Sequence, residues 1–306
     1  MTPEDLAERT RRAPDAAVAA GRELGRRIEQ PTVLHDVFSV VVHLRPEPVV
    51  ARIPVVSTAN PQPDRQNARQ QRELDVAAWL DAHGVPVVPP SARVPRRPVR
   101  RHGFAMTFWE LADVAEDHEP YRGVDLSYSV TLHAALRDYP AELPFLSPFN
   151  DGLPEMIAEL RPQRGLTTSD IERARAEFDR LRAVLADRES FHRAFAGVPV
   201  QPVQGDAPSH NVIRTRAGIL FSDFEDITCG PVEWDLAMLG EEAITAYDRA
   251  AHERGLRRTD PEVLRAMESA RRLQFVGCFT LIPQLPILAA PLTEALDDWR
   301  ATPEFG

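Results

Sequence analysis

Residues 37 to 44, VFSVVVHL, place Phe38, Val40, Val42 and Leu44 at every second position. A period of two suits a strand with one buried face and does not form one stripe of a helix. After the turn-forming RPEP, residues 49 to 56 (VVARIPVV) read as a second strand, which predicts an antiparallel hairpin. The polar connection ANPQPDRQ leads into a helical run from about Gln66 to His83. That run ends at Gly84, where a glycine C-cap is expected. Proline-rich VPVVPPSARVPRRPVRRHG then precedes FAMTFWEL at 104 to 111, a further strand candidate. After an N-terminal helix, the expected order is strand, strand, helix, strand, strand.

Beyond residue 111 long helical segments dominate. The clearest is expected to start at Ser169, with Glu172 closing a capping box, and it continues through Ile171, Ala174, Phe178, Leu181 and Leu185 at helical spacing. Between Val212 and Phe224 short strands return, VIR and ILFSDF, around a turn containing Gly218. Three helical runs follow from Glu241, broken near TDPE and at the prolines of LIPQLPILAAP. The layout predicts an α+β chain with a small antiparallel lobe over residues 1–110 and a mainly helical one over 111–306.

Composition narrows the class. Hydrophobic content of 43% with 27% charged residues fits a globular protein, and no apolar run approaches the roughly 20 residues of a membrane helix. The net charge of −10 disfavours nucleic-acid binding, which needs clustered cations, and fits a cationic or neutral small substrate better. The charged start, MTPEDLAERTRR, lacks the apolar core of a signal peptide, so a cytoplasmic location is expected. Two cysteines, Cys229 and Cys278, are too few for a disulfide framework or structural zinc, and read as small core residues. No lysine occurs, so all 36 basic residues are arginine.

One stretch carries chemistry: QGDAPSHN, then SDFED, then GPVEWDLA, between Gln204 and Ala237. Asp206, Asn211 and Asp223 follow one another with a strand, turn and strand between the last two. This pattern resembles the H-G-D-x-x-x-x-N loop and the following metal-binding Asp of the aminoglycoside phosphotransferase and choline kinase group. The resemblance implies a protein-kinase-like two-lobed fold and transfer of the ATP γ-phosphoryl group to a hydroxyl of a small molecule. Such a reaction is mostly positioning and charge neutralisation. It implies Asp206 as the base, Asn211 and Asp223 as oxygen ligands of Mg²⁺, and Asp235 as a brace for the catalytic loop. Glu225 and Asp226 add negative charge beside Asp223; Glu225 reads as a solvated acid, with contact to metal or substrate as the alternative.

Three departures from the family pattern stand out. Gln204 occupies the usual His position, from which a changed loop geometry is expected. Arg52 lies where the nucleotide-anchoring lysine of the third strand is usual, with Glu73 as its expected helix partner; the plain alternative is an edge-strand arginine reaching solvent. Arginine keeps the charge but is longer, planar and bidentate, so this is not a conservative change. The segment expected to cover the phosphates, PTVLHDVFS, contains no glycine, and His35, Asp36 and Ser39 lie in it without an assigned role. Backbone near Phe108, Trp109 and Glu110 is expected to meet the adenine, although the rings read equally well as core.

The leading expectation is therefore a small-molecule kinase using Mg²⁺ and ATP on a sugar, amino alcohol or aminoglycoside-like acceptor. Glu294, Asp297 and Asp298 could draw a polyamine, or form an ordinary solvated helix face. The rival is a pseudokinase that only binds nucleotide or a small ligand, prompted by Arg52, Gln204 and the missing glycines. A protein kinase is disfavoured by the helical insert at 151–200 and the lack of an APE-type segment.

Overall fold

The structure, a computed structural model, describes residues 3–56 and 62–305. In chain order the elements are α1 (Pro3–Glu23), β1 (Ile28–Asp36), β2 (Ser39–Pro46), β3 (Val49–Pro54), α2 (Pro63–Ala82), β4 (Val99–Arg101) and β5 (Phe104–Glu110). There follow α3 (Ser127–Leu136), α4 (Leu153–Glu159), α5 (Thr168–Leu185), α6 (Arg188–Ala194), β6 (Gln201–Val203), β7 (Val212–Thr215), β8 (Gly218–Phe221) and β9 (Thr228–Gly230). Four helices close the chain: α7 (Glu233–Leu236), α8 (Glu241–Glu253), α9 (Pro261–Gly277) and α10 (Ala289–Ala301). None of the described helices is long and apolar enough to cross a membrane.

The chain forms two compact units. The first comprises Met1–Pro120, Ile213–Glu225 and Pro283–Pro286, and the second Tyr121–Val212, Asp226–Ile282 and Ile287–Gly306. The expected cut between residues 110 and 111 differs from this in one instructive way. The β7–β8 hairpin, late in the sequence, belongs with the first unit because its residues pair there: Phe221 bridges Val87 and Thr215 bridges Val114.

In the first unit five antiparallel strands run in the order β1-β2-β3-β5-β4. Alternation sorts their side chains onto two faces. Val40, Val42, Leu44, Ala51, Ile53, Met106 and Phe108 form one face, covered by Ala13, Ala16, Ala17 and Ala20 of α1. These alanines recur at helical spacing, and their small size lets the helix lie close. Arg52 therefore points to the other face, in register with Val41 of β2 and Thr107 of β5. Helix α2 places buried Glu73 against it, and the chain leaves α2 through Gly84 at φ +76, a conformation open to glycine.

The hairpin, α2, β5 and the three C-terminal helices match the sequence pattern. Two expectations change. PTVLHDVFS is not a loop: most of it is β1, paired with β2 from Ile28↔Pro46 to Asp36↔Val40. As an edge strand with side chains largely exposed on both faces, it carries no alternating apolar signal. The cap of α5 is Thr167 with Asp170, not Ser169 with Glu172; Thr167 Oγ1 accepts from the Asp170 amide at 3.2 Å and the Thr167 amide donates to Asp170 at 2.8 Å. Overlapping T-x-x-D and S-x-x-E boxes fit equally on paper, and Arg300 settles the choice by gripping Asp170. Part of the connection ANPQPDRQ lies outside the described residues.

The second unit packs its helices around one apolar core that includes Phe149, Phe191, Trp234, Phe279 and Trp299. Cys229 is buried and Cys278 half-buried, both free. Burial pushes both thiols up, Cys278 to about 11, which leaves them unreactive core residues.

Candidate active site

In the second unit, β6 ends at Val203 and delivers residues 204–211 as a tight loop closed by the His210 and Asn211 amides on the Ala207 carbonyl. Asp235, at the C-terminal half of α7, holds the loop's entry. Its two carboxylate oxygens accept from the Gln204 and Gly205 amides, each at 2.8 Å. Trp234 closes the same turn by donating to the Gly205 carbonyl at 2.8 Å. Gly205 has φ +92, and a Cβ there would lie 1.9 Å from the Asp226 carbonyl oxygen, so no side chain fits.

The loop holds Asp206 and Asn211 together. Asn211 Nδ2 donates to Asp206 Oδ2 at 2.9 Å, and Arg271 of α9 pairs with Asp206 Oδ1. The Asp206 side chain nevertheless keeps 43% of its surface open. Burial alone would push its carboxyl up, but the Arg271 charge and the bonds from Asn211 and Arg271 outweigh burial and hold it below the ordinary range. It is thus an ionised, oriented and accessible carboxylate.

Gln204 is buried in the usual His position, and its amide keeps the grip on Asp235. A histidine comes to the same carboxylate from α3: His133 Nε2 lies 3.0 Å from Asp235 Oδ2, and its Nδ1 lies 2.8 Å from the Tyr247 hydroxyl.

In the first unit Arg52 is the centre. Nη1 lies 3.3 and 3.2 Å from the two Glu73 oxygens, while Nη2 donates to Asp223 Oδ1 at 2.9 Å and to Glu225. With 15% of its side chain exposed on an internal strand, Arg52 is not the edge-strand arginine of the plain alternative. Arg69 of α2 adds a second cation, 3.0 Å from Glu225 Oε1, and its Nε donates to the Glu225 carbonyl at 3.1 Å. Glu225 is therefore not a solvated acid: only 18% of its side chain is exposed, because two guanidinium groups enclose it.

Three carboxylates meet two arginines here, and the charged form is disfavoured at the most buried of the three, Glu73. Burial pushes Glu73 up, with Asp223 and Glu225 adding to the effect and Arg52 opposing it. Burial likewise works against charge on Glu225, but Arg69 and Arg52 pull it down. Asp223 stands apart, with 45% of its side chain open and a left-handed backbone at φ +58. Aspartate tolerates that region, which is enriched at functional sites.

At the end of β5, Phe108 and Trp109 are buried, on opposite faces of the sheet. The Trp109 ring donates to Thr107 at 2.8 Å. The Phe108 carbonyl accepts from Ser91, the Glu110 amide donates to Pro89, and the Glu110 carboxylate accepts from Ser91 Oγ and the Ala92 amide, both at 3.0 Å.

Comparison with known proteins decides what this machinery belongs to. Residues 36–273 match the model of the phosphotransferase enzyme family, APH, which is more than half of the chain. The chain belongs to this family. No curated protein matches it. Among solved structures it resembles an amicoumacin kinase, hAmiN, in complex with AMP-PNP, Ca²⁺ and Ami (TM-score 0.63, 14% identity, 98% of this chain and 95% of that one). It also resembles the choline kinase LicA from Streptococcus pneumoniae (TM-score 0.63, 11% identity, 92% and 96%). A third is APH(2")-IIIa in its GDP and kanamycin complex (TM-score 0.58, 13% identity, 95% and 98%). At these identities the likeness establishes the kinase-like fold.

Each unit of this APH-family chain supplies oxygen donors of the kind a hard dication prefers. In the second unit Asn211 commits its amide nitrogen to Asp206 and has its amide oxygen as a donor, and in the first unit Asp223 keeps 45% of its side chain exposed. Sequence reasoning missed Arg69, His133 and Arg271. Each reaches its partner from a helix distant in sequence, 65 residues away for Arg271, so no local spacing signals it.

Proposed function

We propose that the protein is an ATP-dependent O-phosphotransferase acting on a small hydroxylated molecule. Asp206 receives the proton of the acceptor hydroxyl as its oxygen bonds to the γ-phosphorus; the β–γ bridging P–O bond breaks, and its electron pair leaves on ADP. Asn211 and Asp223 hold Mg²⁺, which when bound neutralises the phosphate charge. Arg52, oriented by Glu73, binds the phosphates, and the adenine lies against the end of β5 near Glu110. The observation that supports this reading best is the state of Asp206: ionised, fixed through both oxygens and still open, in a chain of the phosphotransferase family.

Thermal shift with Mg-ATP and phosphate incorporation into an acceptor panel test the proposal. Asp206→Asn should keep the Mg-ATP shift and lose about 10² to 10⁴ in kcat. Equal turnover by the variant would remove Asp206 from its role, and no response of the wild type to Mg-ATP would sink the reading as a whole.

A further inference from the structure

The charged group that pairs with Asp206 is a cation held by α9. The guanidinium of Arg271 pairs with Asp206 Oδ1, lies 5.5 Å from the centroid of the Trp234 ring, and donates through Nη1 to Gln274 Oε1 at 3.1 Å. Its side chain is only 15% exposed, so its charge is weakly screened and its fork is fixed. The nearby acids of this unit are already answered. Glu268 lies 3.8 Å from Arg272, Asp298 accepts from Arg272 at 3.0 Å, and Asp297 accepts from Arg300 at 2.9 Å. Asp297 and Asp298 are two of the three α10 acids considered as a draw for a polyamine.

Resting on the phosphotransferase reading, we infer that the acceptor is a hydroxy acid, a small molecule carrying an anionic group a few bonds from its hydroxyl. The anion replaces Asp206 as the partner of Arg271, because the guanidinium fork matches carboxylate and phosphate alike. The exchange releases Asp206 Oδ1 for the hydroxyl proton, while Asn211 keeps Oδ2 in place. An ammonium acceptor cannot make this exchange. It is repelled by Arg271 and leaves the base engaged, so the same residue selects the substrate and frees the base.

The test uses the full chain with Mg-ATP and matched acceptors: D-glycerate and glycerol 3-phosphate as carboxylate and phosphate anions, glycerol as neutral, and choline and kanamycin as cations. The expected result is phosphate incorporation into one of the anions, and Arg271→Gln lowers kcat/KM for it about a hundredfold. Arg271→Lys, which keeps the charge without the fork, should fall between, and both variants should retain the Mg-ATP thermal shift. If neither anion is turned over, binding decides: D-glycerate or glycerol 3-phosphate alone should raise the Tm of the wild type and not of Arg271→Gln, and equal shifts, or none, overturn the inference. Phosphorylation of choline or kanamycin as efficient as that of the anions also overturns it, while leaving the phosphotransferase reading intact. A wild type blind to Mg-ATP is the failure of that reading instead.

Discussion

Two arginines hold Asp206 and Asp223 of the candidate site, and they hold them differently. Arg271 in the second unit faces one carboxylate, Asp206, and the balance favours the ionised acid. Arg52 in the first unit faces Glu73, Asp223 and Glu225, with Arg69 beside Glu225, and burial, with Asp223 and Glu225 adding to it, pushes Glu73 up. The first arrangement is neutral and keeps a base ready. The second shares one arginine among three acids and disfavours charge on the acid that is most buried. An arginine beside a carboxylate therefore has no fixed meaning until the other charges around the pair are counted.

The contrast can be broken by stability measurements. Arg52→Ala takes one of two cations from the ionised, enclosed Glu225 and leaves buried Glu73 without its partner, and denaturant unfolding should show a loss of about 3 kcal/mol. A loss below about 1 kcal/mol would mean that the cluster relaxes into solvent and that Arg52 is no anchor. Asp170 supplies a reference pair of ordinary balance, bonded to Arg300 and to the Thr167 cap. Asp170→Ala should cost about 2 kcal/mol. The bonds from Arg300 hold the Asp170 carboxyl below its ordinary range, so its contribution is present above the usual value of 3.8 and is lost as pH falls below it. Arg271→Gln should cost only about 1 kcal/mol, because Asp206, 43% open, regains water when its partner goes. A loss matching that of Arg52→Ala would erase the distinction between the two sites.

Much of this was readable before folding, and the reasons are physical. β2, β3 and β5 announce themselves because one face is buried, α2 because Gly84 ends it, and Asp206, Asn211 and Asp223 because a short loop and a hairpin impose their spacing. β1 was hidden since an edge strand exposed on both faces has no hydrophobic period. Glu225 looked like a solvated acid because its two arginines, from β3 and α2, lie 173 and 156 residues away in the chain. The same holds for Arg271, whose α9 is brought to the loop by tertiary packing alone. The local half of the site is written in spacing. The electrostatic half is written in contacts between elements.

The sharpest probe of that electrostatic half is a pH profile. Glu73 is pushed up to about 8 from an ordinary 4.5, chiefly by burial. Between those values the folded protein keeps a proton that the unfolded chain has released, so stability falls as pH rises across that window. This sign is opposite to that of Asp170. Glu73→Gln mimics the protonated acid and keeps an acceptor for Arg52, so it should match the wild type within about 1 kcal/mol near pH 4 and flatten the decline between about pH 4.5 and 8, which leaves the variant the more stable protein at pH 7. Chemical unfolding of both proteins across that range is the measurement. If the wild type instead gains stability with rising pH there, Glu73 is ionised beside Arg52 and burial does not govern its charge.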